Sequence, residues 1–230
     1  MYTTRSEHFT QTVEKTTYPP IGSIVGMVVG LLLFIPVALM AHQHTLTGIQ
    51  LHVFRALNDL SLPHVVVTLS RWLTEALGAA YPIAACILIP LAFKKYRLAW
   101  RFLFTAGGST AVFYVIKKVI NEPRPYTMLQ NNLHVRVVET GPSFPSGHVT
   151  AATTLALTLW LIFPNKWRWI SVIWIAVVAF TRLYLGAHTP GDVVGGFAIG
   201  LMAVSFVSLL PPNITKPLRL EPEKLLDEGW

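Results

Sequence analysis

Three short segments of this chain carry cations, imidazoles and a carboxylate next to long apolar runs, where a membrane helix would meet water. They hold six ionisable residues: Lys117, Arg124, His148, Arg182, His188 and Asp192. Lysine and arginine neutralise the non-bridging oxygens of a phosphoryl group, and free backbone N–H groups at the start of a helix add further donors. The set therefore predicts a site for a small, highly charged anion, for which a phosphoryl group is the obvious candidate.

In the first segment, Lys117 and Arg124 are separated by six residues, and Pro123 and Pro125 flank the arginine. Proline ends the preceding helix, so we expect Lys117 in the last helical turn and Arg124 on a rigid extended piece that folds back over it. The alternative interpretation is a pair of snorkelling cations at a membrane boundary.

The second segment is Pro145-Ser146-Gly147-His148, which opens a long apolar run. Ser146 is in position to be the N-cap of a helix, with its hydroxyl and the free N–H groups of the first turn facing whatever lies beyond the helix end. The alternative is an ordinary capped helix start with a histidine at the membrane boundary.

In the third segment, His188 and Asp192 are four residues apart, and Pro190 and Gly191 between them start a new helix. Asp192 can therefore accept a hydrogen bond from one imidazole nitrogen, which fixes the tautomer and leaves the other nitrogen as a nucleophile. A charged Arg182 and Asp192 near a bilayer are costly unless they are paired or functional. An Arg182–Asp192 clasp between two helices is the structural alternative.

Together the three segments resemble the signature of the type 2 phosphatidic acid phosphatase superfamily, which includes lipid phosphate phosphatases, glucose-6-phosphatase and vanadium haloperoxidases. The resemblance rests on Lys117-(six residues)-Arg124-Pro125, on Pro145-Ser146-Gly147-His148, and on Thr181-Arg182-(five residues)-His188-(three residues)-Asp192. The resemblance is strong over residues 117–192. Thr181 stands where the family usually has serine, and it retains a hydroxyl.

The resemblance implies a role for each matched residue. His188 attacks phosphorus and is oriented by Asp192, while His148 protonates the leaving oxygen and then activates water. The implied ligands of the phosphoryl oxygens are Lys117, Arg124, Arg182, Ser146 and the Gly147 amide. Two imidazoles about a phosphoryl group also suit in-line nucleophile and acid roles on chemical grounds alone. Three cations make a divalent metal unnecessary, so we predict neither a metal nor a cofactor.

The composition indicates an integral membrane protein, because 53% of the residues are hydrophobic and 13% are charged. The formal net charge is +7, but the basic residues are scattered over short connectors with no basic helix, which argues against a nucleic-acid partner. Cys86 is the one cysteine and excludes a disulfide or a thiolate metal site. His42 and His44 are close together but have no acidic ligand beside them, so we do not assign them to a metal.

The hydropathy pattern predicts an all-α polytopic protein with six transmembrane helices. A polar tail at 1–20 precedes a phosphatase domain at 21–210, and a second polar tail follows at 211–230. The spans are predicted at 21–41, 76–93, 98–120, 148–163, 167–186 and 192–210. One or two short amphipathic helices between 42 and 75 are expected to lie at the interface on the outer side.

Charge and glycine spacing add two predictions about this bundle. Eleven of the 18 lysines and arginines fall on the tails and on the connectors 94–101 and 166–168. The positive-inside rule therefore places both termini in the cytoplasm and the site on the outer or periplasmic face of the cell membrane. Gly22, Gly26 and Gly30 form one smooth helix face, which indicates close packing within the chain or, alternatively, a homodimer seam.

The expected function is hydrolysis of a phosphomonoester or diphosphate on a lipid through a phosphohistidine intermediate. The connector between the first two motifs is too short for a large cap, and an open site suits a lipid whose tail stays in the bilayer. Undecaprenyl diphosphate, phosphatidylglycerol phosphate and phosphatidate are all compatible. His134, Arg136 and Glu139 on the connector are candidate head-group contacts, or else part of a solvated loop. The alternatives are a phosphatase or peroxidase acting on a soluble substrate, and a non-enzymatic anion transporter or binding protein.

Overall fold

The described part of the chain is helical and contains no strand. The computed structural model describes residues 21–78, 80–129 and 133–210, so the predicted tails at 1–20 and 211–230 lie outside the described residues. The all-α prediction is confirmed for these ranges. In chain order the helices are α1 (Ile21–His42), α2 (Gly48–Asn58), α3 (His64–Gly78), α4 (Ala80–Ala92), α5 (Tyr96–Ile120), α6 (Pro125–Met128), α7 (Gly147–Trp160), a 3₁₀ turn (Asn165–Trp167), α8 (Trp169–Tyr184) and α9 (Pro190–Leu209).

The helices are consistent with a membrane protein, but they do not by themselves establish six membrane crossings. Four segments within the described ranges are long and apolar enough to span a bilayer: Ile21–His42, Leu98–Met128, Asn165–Tyr184 and Pro190–Leu209. Helices α3 and α4 pass the same test together, as a pair bent by 42°. The count is therefore four, or five with the bent pair, and six crossings stay a prediction.

Helix α7, predicted as the fourth crossing, is 14 residues long. At 1.5 Å per residue it spans about 21 Å, which is shorter than a hydrocarbon core of roughly 30 Å. Its Val149 and Ala152 are fully inaccessible to solvent. Three of its buried threonines, Thr150, Thr154 and Thr158, are satisfied within the helix, because each hydroxyl donates to the carbonyl four residues earlier. The apolar character of this stretch therefore reflects burial against other helices.

Two helices occupy the segment for which the sequence predicts one or two amphipathic helices. Helix α2 begins after Thr47, whose hydroxyl accepts a hydrogen bond from the Gln50 N–H at 3.2 Å. Helix α3 continues to Gly78, beyond the predicted end of the amphipathic stretch. The placement of these helices on the outer side of a membrane stays a prediction.

The smooth face of α1 packs within the chain. A Cβ added to Gly26 would lie 2.3 Å from the Ser205 hydroxyl, and one added to Gly30 would lie 2.4 Å from Met202. Both partners belong to α9, whereas Gly22 has nothing within 4 Å of that position. The prediction of close intramolecular packing is confirmed for Gly26 and Gly30.

Glycines on α9 also let the start of α7 come close. A Cβ on Gly195 would lie 2.4 Å from the ring of Phe144, and one on Gly196 would lie 2.6 Å from the Ser146 carbonyl oxygen. This approach allows the Ser146 N–H to donate to the Asp192 carbonyl oxygen at 3.0 Å. The packing of α9 therefore brings the second and third sequence segments together at one end of the bundle.

Candidate active site

The first segment is turned toward the other two by the end of α5. The helix ends at Asn121, whose φ of 49° lies in the left-handed region and whose N–H donates to the Lys117 carbonyl. Arg124, between its two prolines, is extended as expected, with φ −70° and ψ 153°. Its guanidinium donates to the carbonyl oxygens of Gly141 at 3.0 Å and Ala187 at 3.1 Å. Arg124 therefore links the connector to the turn between α8 and α9.

His188 and Asp192 form the predicted pair at the start of α9. The His188 Nδ1 lies 3.2 Å from Asp192 Oδ2, and the two side chains are 1% and 0% exposed. A capping box holds this turn, because the Asp192 N–H donates to the Thr189 hydroxyl and the Thr189 N–H donates to Asp192 Oδ2. The Ser143 hydroxyl donates to the same oxygen at 2.6 Å. Asp192 is thereby fixed in place by three donors.

The hydrogen bonds of His188 define its tautomer. Arg124 Nη1 lies 3.2 Å from His188 Nε2. Since a guanidinium can only donate, Nε2 must be the acceptor and Nδ1 must carry the proton toward Asp192. Burial lowers the pKa of His188 to about 4, with Arg182 and Arg124 adding to the shift and Asp192 opposing it. The ring is therefore neutral near pH 7, with an unprotonated Nε2.

Two buried guanidinium groups, one of which contacts Nε2, share one carboxylate. Arg182 is 0% and Arg124 5% exposed, and both pair with Glu139, Arg124 at 3.0 Å. Glu139 Oε2 also lies 3.9 Å from His188 Nε2. Burial alone would raise the pKa of Glu139, but Arg182, His188 and Arg124 outweigh it and lower the pKa to about 2. Two guanidinium groups and an imidazole thus surround the Glu139 carboxylate, and we call this group of side chains the anion pocket.

Ser146 and Gly147 lie at the start of α7. Ser146 is at the N-cap position, as predicted, but its hydroxyl makes no capping bond. That oxygen is buried and has no hydrogen-bond partner among the described residues. A Cβ at Gly147 would lie 2.9 Å from the ring of Phe113, so a larger residue does not fit there without a shift. Ser146 and Gly147 thus lie at a closely packed helix start, where the Ser146 hydroxyl is fully buried.

Lys117 lies in the last turn of α5, as predicted. Its ammonium lies over the Phe113 ring at 5.0 Å from the centroid, where the ring face attracts a cation. The charges of Arg124, Asp192, Glu139 and Arg182 all act on Lys117 electrostatically. Lys117 is therefore part of the same charge cluster.

His148, which the sequence predicts as a site residue, contacts a residue outside the anion pocket. Its Nε2 lies 3.3 Å from Oε1 of Glu75 on α3, and its side chain is 20% exposed. The preceding residue on α3, Thr74, accepts a hydrogen bond from Arg182 Nη1 at 3.3 Å. Helix α3 thus supplies adjacent residues to His148 and to the anion pocket.

The three candidate head-group residues separate in the structure. Glu139 lies in the anion pocket, where it contacts Arg124 and Arg182. Arg136 donates to the carbonyls of Asn58 and Tyr184, both at 2.7 Å, and stacks over the Tyr184 ring at 4.3 Å. His134 is 61% exposed and lies 4.0 Å from Asp59. The structure therefore brings one of the three to the candidate site, and ties Arg136 to the backbone nearby.

Sequence reasoning missed four residues at the site, which are Thr74, Glu75, Glu122 and Ser143. None of the four is a motif position in the three matched segments. Thr74 and Glu75 come from a helix that lies more than 70 residues before His148 in the sequence. Two signals were present, a lone glutamate in an otherwise apolar helix end and a glutamate directly before the proline at 123. Within the described residues, no group of three or more His, Cys, Asp or Glu is placed to hold a metal ion.

Residues 98–216 match a family model described as the PAP2 superfamily. An undecaprenyl-diphosphatase of Sulfolobus acidocaldarius is 30% identical over 167 residues, covering 70% of this chain and 78% of the relative. Undecaprenyl-diphosphatase BcrC of Bacillus subtilis is 31% identical over 179 residues, covering 73% and 89%.

A solved structure shares the fold. The crystal structure of Aquifex aeolicus LpxE matches with a TM-score of 0.64 over 71% of this chain and 96% of that chain. The sequence identity is 23%, so this likeness concerns the fold alone.

The environment of His188 predicts how its imidazole titrates. Because burial and two nearby guanidinium groups lower its pKa, the ring should stay neutral, with the proton on Nδ1, as the pH falls from 7 to 5, and should protonate only near pH 4. Histidine-selective ¹⁵N NMR of the detergent-solubilised protein measures this. His188→Gln assigns the signal. A His188 signal that is already cationic at pH 6, or one with the proton on Nε2, would contradict the geometry.

Proposed function

This chain belongs to the PAP2 superfamily, and we propose that it hydrolyses a phosphomonoester or diphosphate on a membrane lipid through a phosphohistidine intermediate. The observation that carries the proposal is the position of the Glu139 carboxylate. It lies between two buried guanidinium groups and 3.9 Å from the unprotonated nitrogen of His188. A phosphoryl group presents the same kind of anionic oxygens, with more charge, and would take the place of this carboxylate.

In the first step His188 Nε2 attacks phosphorus as the bond to the leaving oxygen breaks. Arg124 and Arg182 neutralise the non-bridging oxygens, with Lys117 adding charge, and the Ser146 hydroxyl and Gly147 N–H supply further donors. His148 donates a proton to the leaving oxygen. Asp192 holds the Nδ1 proton and stabilises the positive charge that develops on the ring.

In the second step, water attacks the phosphorus atom that is bonded to His188 Nε2. His148, which has lost its proton to the leaving group, accepts a proton from this water, and the N–P bond breaks. Inorganic phosphate leaves, and His188 returns to its neutral form. Glu75, at 3.3 Å from His148 Nε2, is placed to hold the second imidazole during both transfers.

The exposed surface of the candidate spans supports a lipid substrate. Large apolar side chains are exposed on the candidate spans, among them Leu32 at 67% and Val119 at 71%, which is the pattern of a lipid-covered surface. Both relatives named above are undecaprenyl-diphosphatases. We therefore take undecaprenyl diphosphate as the first substrate to test, with phosphatidylglycerol phosphate and phosphatidate as the alternatives.

The orientation in the membrane follows from charge. The distribution of lysine and arginine supports cytoplasmic termini and a site that opens to the outer or periplasmic side of the cell membrane. In this orientation the head group of an outer-leaflet lipid meets the anion pocket while its tail stays in the bilayer.

The purified protein is expected to release phosphate from undecaprenyl diphosphate with EDTA present, and orthovanadate should inhibit it. The reason is that three cations of the chain can neutralise the phosphoryl oxygens. The measurement is phosphate release in detergent micelles from the three lipids and from a soluble sugar phosphate. Activity that is abolished by EDTA and restored by Mg²⁺ would contradict the metal-independent mechanism, and equal rates on the sugar phosphate would contradict the lipid substrate.

Substitution of each of the two histidines should impair the reaction at a different step. His188→Ala is expected to remove acid-labile, base-stable ³²P label from the protein with every substrate. His148→Ala should slow release from phosphatidate, whose leaving group is a poor alkoxide, by about 10²- to 10⁴-fold. With nitrophenyl phosphate the same variant should give a burst of nitrophenol followed by slow turnover, because that leaving group needs little protonation while hydrolysis of the intermediate still needs a base.

Wild-type protein and His134→Ala, which removes an exposed connector histidine, serve as controls for the labelling. Label that persists in His188→Ala and is missing in His148→Ala would mean that the nucleophile and the acid are assigned the wrong way round.

A further inference from the structure

Glu122 is a buried carboxyl group with no part in the transfer steps described above. It follows Asn121 at the end of α5 and is 2% exposed, and Ser143 links it to the fully buried Asp192: the Ser143 N–H donates to the Glu122 carbonyl oxygen, and the Ser143 hydroxyl donates to Asp192 Oδ2. A carboxylate oxygen can only accept a hydrogen bond, so a bond between two carboxyl groups requires that one of them carries a proton. A hydrogen bond between the side chains of Glu122 and Asp192 would therefore need one of them to be a neutral acid.

The surrounding donors decide which member is ionised. Asp192 Oδ2 accepts from the Ser143 hydroxyl at 2.6 Å and from the Thr189 N–H at 2.7 Å, and it faces His188 Nδ1 at 3.2 Å. Donors of this kind stabilise the anionic form of the group that receives them. Oε2 of Glu122, in contrast, is buried without a partner among the described residues. In a hydrogen-bonded pair the negative charge would therefore lie on Asp192 and the proton on Glu122.

The local chain geometry delivers Glu122 to this place. The left-handed turn at Asn121 ends α5, and the proline at 123 restricts Glu122 to an extended conformation. Its carbonyl oxygen then accepts from the Ser143 N–H at 2.7 Å. Ser143 is also the residue whose hydroxyl donates to Asp192. The backbone hydrogen bond between Ser143 and Glu122 therefore holds Glu122 near the same carboxylate. Oδ1 of Asp192 and Oε2 of Glu122 are both buried without a hydrogen-bond partner among the described residues, and a hydrogen bond between these two oxygens would satisfy both.

We propose that Glu122 is a positioning residue that remains a neutral carboxylic acid and donates a hydrogen bond to Asp192, fixing the carboxylate that orients His188. This role rests on the proposed function of His188 as the nucleophile. It differs from the role of Asp192 because Glu122 touches neither the imidazole nor the phosphoryl group. A second ionised carboxylate at this depth would repel Asp192, whereas the neutral acid holds it without adding charge.

The kinetic test compares Glu122→Gln with Glu122→Leu. The glutamine amide is neutral and can donate the same hydrogen bond, so this variant should keep most of the wild-type rate of phosphoenzyme formation. The leucine has a similar size and no donor, and should slow phosphoenzyme formation by about 10- to 100-fold, as loss of a supporting hydrogen bond does at other sites. The KM should stay within about twofold of wild type in both variants, because the anion ligands are untouched. Glutamine and leucine variants that are equally slow, or equally fast, would overturn the proposal.

The protonation state is tested without any substrate, by infrared spectroscopy of the purified protein at pH 7. A protonated carboxyl group has a C=O stretching band that ionised carboxylates lack, and this band should be lost in Glu122→Gln. Glu139→Gln is the matched control: it removes a carboxylate that is ionised between two arginines, so it should leave the band in place. A spectrum unchanged by Glu122→Gln would overturn the proposal. A lost band in a protein with no phosphatase activity would instead refute the proposed function and leave the neutral acid intact. The infrared band and the glutamine variant decide the question even if the leucine variant does not fold.

Discussion

Two guanidinium groups, those of Arg124 and Arg182, lie almost completely buried at one end of the bundle and need an anion beside them. A buried cation without a partner is costly, and removing the partner of a buried charge typically costs several kcal/mol, roughly 3–5. In the structure the Glu139 carboxylate supplies that charge, with both arginines and His188 around it. The same requirement underlies our proposal that the pocket binds a phosphoryl group, since substrate and Glu139 offer equivalent oxygens to the same donors. Binding would then exchange one anion for another and leave neither arginine unpaired.

The geometry of this pocket depends on close helix packing some distance from it. Glycines at 195 and 196 let α9 meet the start of α7, which places the Ser146 N–H on the Asp192 carbonyl. The capping box at Thr189 then sets the direction of the Asp192 side chain. Polar groups that would be costly inside a helical bundle are thereby satisfied at helix ends, where free N–H groups are available. The proposed catalytic groups are consequently held by helix termini and connectors, while the spans supply the rigid frame.

The sequence predicted the parts of the site that depend on local spacing. His188 and Asp192 are four residues apart at a helix start, and the structure places their side chains 3.2 Å apart. Arg124 between two prolines is extended, and Ser146 is at an N-cap. The contributions of Thr74, Glu75 and Ser143 could not be predicted, because contacts between distant segments leave no periodic or motif signal. The number of crossings also could not be predicted from hydropathy alone, since a helix that is buried against other helices, such as α7, can be apolar without crossing the membrane. Glu139 was recognised as a candidate contact, but its position between the arginines depends on how the connector folds.

The most direct test of the central claim is a structure of the protein with orthovanadate, which imitates a phosphoryl group during transfer. Vanadium is expected within bonding distance of His188 Nε2, with Arg124 and Arg182 bound to its oxygens and the Glu139 carboxylate moved out of the pocket. Vanadate bonded to His148, or vanadate bound elsewhere while Glu139 keeps both arginines, would contradict the assignment of this pocket as the phosphoryl site.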